Sequence, residues 1–116
     1  MSLSKRINSF RYALKGLAAL IAGQPNARIH LLAAAIVIAA GFYYDLARWE
    51  WVAVVLCIAL VFALEAVNTA LEHLTDLVSP DPHPLAGKAK DVAAAAVLIA
   101  AIGAAITGVL IFVPKI

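Results

Sequence analysis

Acidic and amide side chains recur at helical spacing in the middle of the chain. Glu65, Asn68, Glu72 and Asp76 lie three, four and four residues apart. Because successive residues of an α-helix turn by about 100°, this spacing places all four on one face of a helix. Carboxylate and carboxamide oxygens suit a hard divalent ion such as Mg²⁺, which keeps several of its waters. This acidic face (Glu65, Asn68, Glu72 and Asp76) therefore has the groups for binding a divalent metal ion.

Two lysines and an aspartate precede the long apolar segment that begins at about residue 92. Lys88, Lys90 and Asp91 directly precede it, and lysines at a helix start are well placed for phosphate, because the free backbone N–H groups there also attract anions. Carboxylates, metal and lysine together are the components of phosphoryl transfer. The sequence has no Gly-rich phosphate loop and no GxxxxGK[ST] motif, so if the protein is a kinase, it is not one of the familiar soluble types.

Most of these residues also have a structural interpretation. Glu72 and Asp76 are equally typical of a solvated helix end, Lys88 and Lys90 of membrane anchors, and Asp91 of a helix N-terminus. Glu65 is different, because it directly follows the 14-residue apolar run 51–64. A membrane crossing needs about 20 residues, so the helix must carry Glu65 to the edge of the hydrocarbon layer. An ionisable group at that depth indicates a functional site.

The composition is that of an integral membrane protein. Of 116 residues, 65% are hydrophobic and 14% charged, against about 45–50% and about 25% in soluble domains. The length fits one domain, 1–116. The net charge of +2 gives no reason to expect nucleic-acid binding, the single Cys57 implies no disulfide, and no cleavable signal peptide is apparent. Costly polar groups must face protein or water, so contacts between copies of the chain are expected.

Hydrophobic periodicity predicts an all-α fold. We expect an N-terminal amphipathic helix on the membrane surface and three transmembrane helices. Asn26 is the expected N-cap of the first span, and the prolines of the segment 79–84 end the second. The predicted bounds are about 4–22 for the surface helix and about 29–46, 50–78 and 88–113 for the spans.

Basic residues are distributed unevenly between the two ends of the predicted spans. Seven fall on one side and two on the other. Since basic residues concentrate in cytoplasmic segments, this predicts a cytoplasmic N-terminus and places the acidic face in the same compartment. The seven are Lys5, Arg6, Arg11, Lys15, Arg28, Lys88 and Lys90; the two are Arg48 and Lys115.

Two stretches together resemble the signature of the small prokaryotic diacylglycerol kinase family, which includes the undecaprenol kinases. They are Glu65-Ala-Val-Asn-Thr-Ala-Leu-Glu-x-x-x-Asp76 and, after His83, Ala89-Lys-Asp-x-Ala-Ala-Ala-Ala96. The resemblance covers nearly the whole chain. It implies a homotrimeric enzyme of the bacterial inner membrane that transfers the γ-phosphate of ATP to a lipid alcohol with Mg²⁺, at active sites shared between subunits.

The resemblance also implies roles for individual residues. Glu65 would take the proton of the lipid hydroxyl, Asn68 would orient it, and Glu72 would hold Mg²⁺. Residues at the nucleotide would be Lys5, Tyr12, His83, Lys90 and Asp91. The family usually has a glutamate before the first span that shares the metal; here that position is Gln24, an uncharged oxygen ligand, so weaker metal binding is expected.

The sequence leaves open which lipid is the substrate, and it leaves two alternatives to a lipid kinase. The stretches 9–16 and 26–30 look more like the undecaprenol kinase branch, but the lipid could be undecaprenol or diacylglycerol. A small proton-coupled multidrug transporter also depends on an intramembrane glutamate, although it needs no lysine-bearing loop. The other alternative is a non-catalytic relative of the kinase family, in which loss of the acid at position 24 has abolished turnover.

Overall fold

A computed structural model describes residues 2–116. Over this range the chain forms four α-helices, α1 (Leu3–Gly23), α2 (Pro25–Tyr43), α3 (Arg48–Val78) and α4 (Pro84–Phe112), then a 3₁₀ turn at Val113–Lys115, and no strand. Within the same range, α2, α3 and α4 are long and apolar enough to cross a membrane. The prediction of an all-α chain with a leading helix and three candidate spans is confirmed.

Helices α3 and α4 form an antiparallel hairpin that holds most of the tertiary contacts. At 31 residues, α3 is about 46 Å long, which exceeds a hydrocarbon layer of about 30 Å. The length of α3 is therefore greater than a perpendicular crossing of the hydrocarbon layer needs. The side of α3 that is buried carries Glu50, Val54, Val61 and Glu65, at helical spacing, so one continuous face packs on the rest of the molecule.

An ion pair closes the hairpin at the end opposite to Asp76. Lys115 Nζ lies 3.2 Å from Glu50 Oε1, and the same carboxylate oxygen accepts a hydrogen bond from the backbone N–H of Ala47 at 2.9 Å. Glu50 thereby caps the start of α3 and holds the end of the chain. Leu46, Val54 and Ile111 form a small buried cluster beside it.

Helix α2 lies against α3 through small residues. Ala27 is fully buried, Ala34 nearly so, and Gly41 faces the indole ring of Trp51. A Cβ atom at position 41 would lie 2.5 Å from Cη2 of that ring, so only glycine permits this approach without displacement of the indole. Small residues at helix contacts let the two backbones come close together, as is usual in membranes.

Two helices begin earlier than the sequence suggested. Helix α2 starts at Pro25 with Gln24 in the N-cap position, so the expectation that Asn26 is the N-cap was wrong. Helix α4 starts at Pro84 with His83 as its N-cap, four residues before the predicted position 88. The reason is the same at both places: proline is favoured in the first helical turn, where its missing N–H costs nothing and its φ is already helical.

A single arginine fixes the angle between α1 and α2. One Arg28 guanidinium nitrogen donates hydrogen bonds to the backbone carbonyls of Ile21, at 3.3 Å, and Ala22, at 2.8 Å. These carbonyls end α1 and have no helical partner of their own. Leu20 is the buried residue of α1, while Leu3, Phe10 and Leu14 are well exposed. The structure thus attaches α1 by its C-terminal end and leaves its apolar face uncovered.

Candidate active site

Glu65 is the most deeply buried ionisable residue among residues 2–116, with 2% of its side chain exposed. Its Oε2 atom is enclosed by protein and has no hydrogen-bond partner within the described chain. Buried polar atoms are normally paired, so an enclosed carboxylate oxygen without a hydrogen bond calls for a functional explanation. The apolar turns of α3 before it and the packing of α2 produce this burial.

The rest of the acidic face follows Glu65 towards the C-terminal end of α3. Asn68 donates from its amide nitrogen to Glu72 Oε1 at 3.3 Å, which joins the two side chains one turn apart. The Asn68 Oδ1 atom is also enclosed and has no partner among residues 2–116. Thr69 donates its hydroxyl to the Glu65 backbone carbonyl at 2.9 Å. The helix therefore presents an unpaired carboxylate oxygen and an unpaired amide oxygen on the same side.

His30 of α2 is the side chain that the fold brings next to the Glu65 carboxylate. Its Nε2 atom lies 3.6 Å from Glu65 Oε2, and 24% of its side chain is exposed. The imidazole also packs edge-on against Phe62, with ring centroids 6.5 Å apart. Phe62 precedes Glu65 by three residues, so both face α2 from one side of α3.

The last residue of the acidic face meets the start of α4. Asp76 forms an ion pair with Lys90, although both side chains are partly exposed. Around them lies an open cavity of about 290 Å³ whose wall includes Asp76, Lys90 and the loop 79–83. His83 accepts a hydrogen bond at Nδ1 from the Leu85 N–H at 3.1 Å and so caps α4. A cavity with a lysine at a helix start is suited to an anionic group.

Several residues assigned by resemblance are not brought to the acidic face within one chain. Lys5 and Tyr12 are exposed on α1, and Asp91 is exposed at the start of α4 without an ion pair among residues 2–116. Gln24, half-exposed, lines a groove between α1 and α3 with Thr69. That groove does not include Glu72.

The residues of a single chain offer a partial set of magnesium ligands. Glu72 and the adjacent Asn68 offer a carboxylate and an amide oxygen, the donor chemistry that Mg²⁺ prefers, while Gln24 lies apart from them in the groove between α1 and α3. Among residues 2–116 no group of three or more His, Cys, Asp or Glu side chains is placed to hold a metal ion. The set fits an ion that one or two protein groups hold and that phosphate and water otherwise coordinate.

Two pairings in this region were missed by sequence reasoning. The acidic face could be derived from spacing on one helix, but His30 with Glu65 and Lys90 with Asp76 join different helices. Spacing does not reveal such contacts. A weak signal existed for His30, since a histidine near the start of an apolar helix needs a polar partner.

Comparison with known proteins identifies the family. A model of the family described as prokaryotic diacylglycerol kinase matches residues 11–112. The chain is 40% identical over 114 residues to the undecaprenol kinase of Bacillus subtilis, covering 98% of this chain and 93% of that one. It is 43% identical over 109 residues to a diacylglycerol kinase of Synechocystis, with 93% and 62% covered, and 34% identical over 98 residues to that of Haemophilus influenzae, with 84% and 83% covered.

Three helices that are long and apolar enough to cross a membrane, with a buried carboxylate on α3 and, about three turns further along α3, an ion pair to the lysine at the start of α4, describe a membrane protein with a polar site. Within that class the chain belongs to the prokaryotic diacylglycerol kinase family, so it is a lipid kinase of bacterial type that uses ATP as phosphate donor. The family resemblance of the two sequence stretches is confirmed. The transporter and the non-catalytic alternatives find no support in these comparisons.

Proposed function

We propose that this protein phosphorylates a long-chain polyprenol, of which undecaprenol is the example, at the cytoplasmic face of the bacterial inner membrane. The observation that carries the chemistry is the burial of the Glu65 carboxylate, whose Oε2 atom accepts no hydrogen bond from residues 2–116. A substrate whose apolar tail stays in the bilayer must meet its base at the edge of the hydrocarbon layer, and Glu65 follows directly on the apolar turns of α3.

In the proposed reaction Glu65 acts as general base. Its carboxylate accepts the proton of the lipid hydroxyl while the hydroxyl oxygen forms a bond to the γ-phosphorus of ATP. The bond from that phosphorus to the oxygen bridging to the β-phosphate breaks, and ADP leaves. Asn68 would orient the hydroxyl by donating its second amide N–H to the hydroxyl oxygen, so that oxygen, phosphorus and leaving oxygen lie in line.

The nucleotide would lie at the start of α4. Lys90 would neutralise phosphate charge, exchanging its present partner Asp76 for the phosphate oxygens, and Asp91 and His83 would border the same end. Lys5 and Tyr12 would approach from α1. Glu72, with the uncharged oxygen of Gln24, would hold Mg²⁺, which supplies charge neutralisation of the phosphates.

We propose a homotrimer with shared active sites as the working form. Support comes from the separation seen in one chain, where the residues of α1 and α4 assigned to the nucleotide do not contact the Glu65 end of α3. Large apolar side chains remain exposed along the spans, and a neighbouring copy or lipid would cover them. The uneven distribution of basic residues supports a cytoplasmic N-terminus and active site.

The preference for a polyprenol is supported by the Bacillus subtilis undecaprenol kinase, whose match extends over nearly the whole of both chains. The test is transfer of labelled γ-phosphate from ATP by purified protein in mixed micelles that contain undecaprenol or diacylglycerol. We expect label mainly on undecaprenol. Equal turnover of both lipids would remove the substrate assignment, and transfer to neither would contradict the proposed reaction.

A further inference from the structure

We propose that His30 is the positioning residue for the base, Glu65: its Nε2–H holds the Oε2 atom and leaves the other oxygen, Oε1, to the lipid hydroxyl. This inference rests on the proposed role of Glu65. The contact joins two helices, so it gives α2 a part in the reaction.

The first support is that His30 is the single cationic or potentially cationic side chain within 4.0 Å of Glu65 in the described chain. The other basic residues in this region have other partners: Lys90 pairs with Asp76, and Arg28 caps the last carbonyls of α1. Glu65 Oε2 accepts no hydrogen bond from any of residues 2–116. The imidazole is therefore the group placed to supply one.

The second support is the packing around the imidazole. Its edge-on contact with Phe62 restricts the ring, and the neighbouring residues on the same side of α2, Ala27 and Ala34, are small and buried. The present N–O distance of 3.6 Å exceeds a hydrogen bond by about half an ångström. Catalytic hydrogen bonds are often long until substrate binds.

The third support is chemical. A carboxylate that rotates freely offers the substrate either oxygen, whereas one that is held at Oε2 presents Oε1 in a fixed direction. After Oε1 takes the hydroxyl proton, Oε2 remains an acceptor, so the bond from His30 persists through the reaction. A misplacement of about 1 Å near a reacting group lowers rates by up to about 10²-fold.

The experiment compares two variants of similar size at position 30. His30→Gln keeps an N–H donor, and His30→Phe keeps an aromatic ring against Phe62 but has no donor. His73→Ala, which removes an exposed histidine of α3, is the control for loss of imidazole elsewhere. Phosphate transfer to undecaprenol is measured in mixed micelles, with helical content and thermal unfolding followed for each protein.

We expect kcat to fall by about tenfold or more in His30→Phe relative to His30→Gln, with KM for ATP and for the lipid nearly unchanged. In His30→Ala, added imidazole should restore part of kcat, an effect that a purely structural role does not produce. His73→Ala should match the wild type.

Equal kcat values for His30→Phe and His30→Gln, both folded, would overturn the inference. Loss of activity in Glu65→Gln together with full activity in His30→Phe would reject the role of His30 and leave Glu65 as base. Full activity in Glu65→Gln would reject the base itself, whatever the variants at position 30 show.

Discussion

At the scale of single residues, Glu65 is an ionisable side chain buried where a charge has a high desolvation cost. Glu65 is enclosed, with one potentially cationic neighbour at 3.6 Å and no hydrogen bond to Oε2 from residues 2–116. A fully paired structural carboxylate would look different: Glu50 has both a lysine and a backbone N–H at hydrogen-bond distance. The contrast between these two glutamates of one helix distinguishes a carboxylate that stabilises the fold from one whose burial indicates a role in function.

Gln24 provides a prediction about the metal. Gln24→Glu adds a charge at the position where relatives in the family usually carry an acid, so the Mg²⁺ concentration needed for half-maximal activity should fall. Binding of Mn²⁺, followed by electron paramagnetic resonance in the absence of lipid, should tighten in parallel. An unchanged metal requirement in both measurements would show that position 24 does not reach the ion. Gln24→Asn is a matched control that keeps the amide.

At the scale of helices, small local features decide how the site is assembled. Sequence periodicity was enough to predict α3 and the alignment of its acidic face, because both depend on one helix. It misplaced the starts of α2 and α4, because Asn26 was expected to be the N-cap of α2 and Pro84 was assigned to the end of α3, whereas Pro25 and Pro84 open the two helices. The contact of His30 with Glu65 depends on how α2 packs on α3, which spacing within one helix does not contain.

Arg28 is predicted to hold α1 in place. In Arg28→Ala the carbonyls of Ile21 and Ala22 lose their donor, and hydrogen bonds from charged groups are each worth about 1.5–3 kcal/mol, less where exposed. Backbone amide exchange at the end of α1 should become faster, and KM for ATP should rise if Tyr12 contacts nucleotide. Arg28→Lys, which keeps a cationic donor, should show a smaller change. Identical exchange in all three proteins would refute the capping role.

Gly41 is predicted to be intolerant of a side chain. Gly41→Ala would place Cβ 2.5 Å from the Trp51 ring, so the indole or α2 must move. Overpacking of this kind costs about 1–3 kcal/mol, measured as a lower free energy of unfolding in micelles titrated with denaturing detergent. Gly103→Ala, where nothing lies within 4 Å of the added atom, is the control and should be nearly neutral. Equal stability of the two variants would contradict the close approach.

At the scale of the whole molecule, one chain looks incomplete as an enzyme. The described chain extends 51 × 42 × 23 Å and exposes large apolar residues along α1 and the spans. The class of protein and the residues of the acidic face followed from sequence and resemblance. The proposed meeting of Tyr12, Gln24 and Glu72 could not be derived from the sequence, since it depends on contacts between copies of the chain.

Assembly into trimers is therefore a prediction of its own. Purified protein in detergent, cross-linked at low concentration, should give a ladder that ends at three subunits, and mass measurement of the detergent-corrected particle should agree. A fully active particle with the mass of a single chain would contradict the proposal of shared sites. Activity that falls on dilution into excess detergent would agree with it.

The central claim is that Glu65 takes the proton of a membrane lipid hydroxyl during transfer of phosphate from ATP. The most direct measurement is the rate of labelled γ-phosphate transfer to undecaprenol by wild type and by Glu65→Gln, which keeps size and polarity but is no base. Loss of a general base lowers rates by about 10²–10⁴-fold, so we predict a loss of that order with ATP affinity unchanged. Transfer by Glu65→Gln at the wild-type rate would contradict the claim.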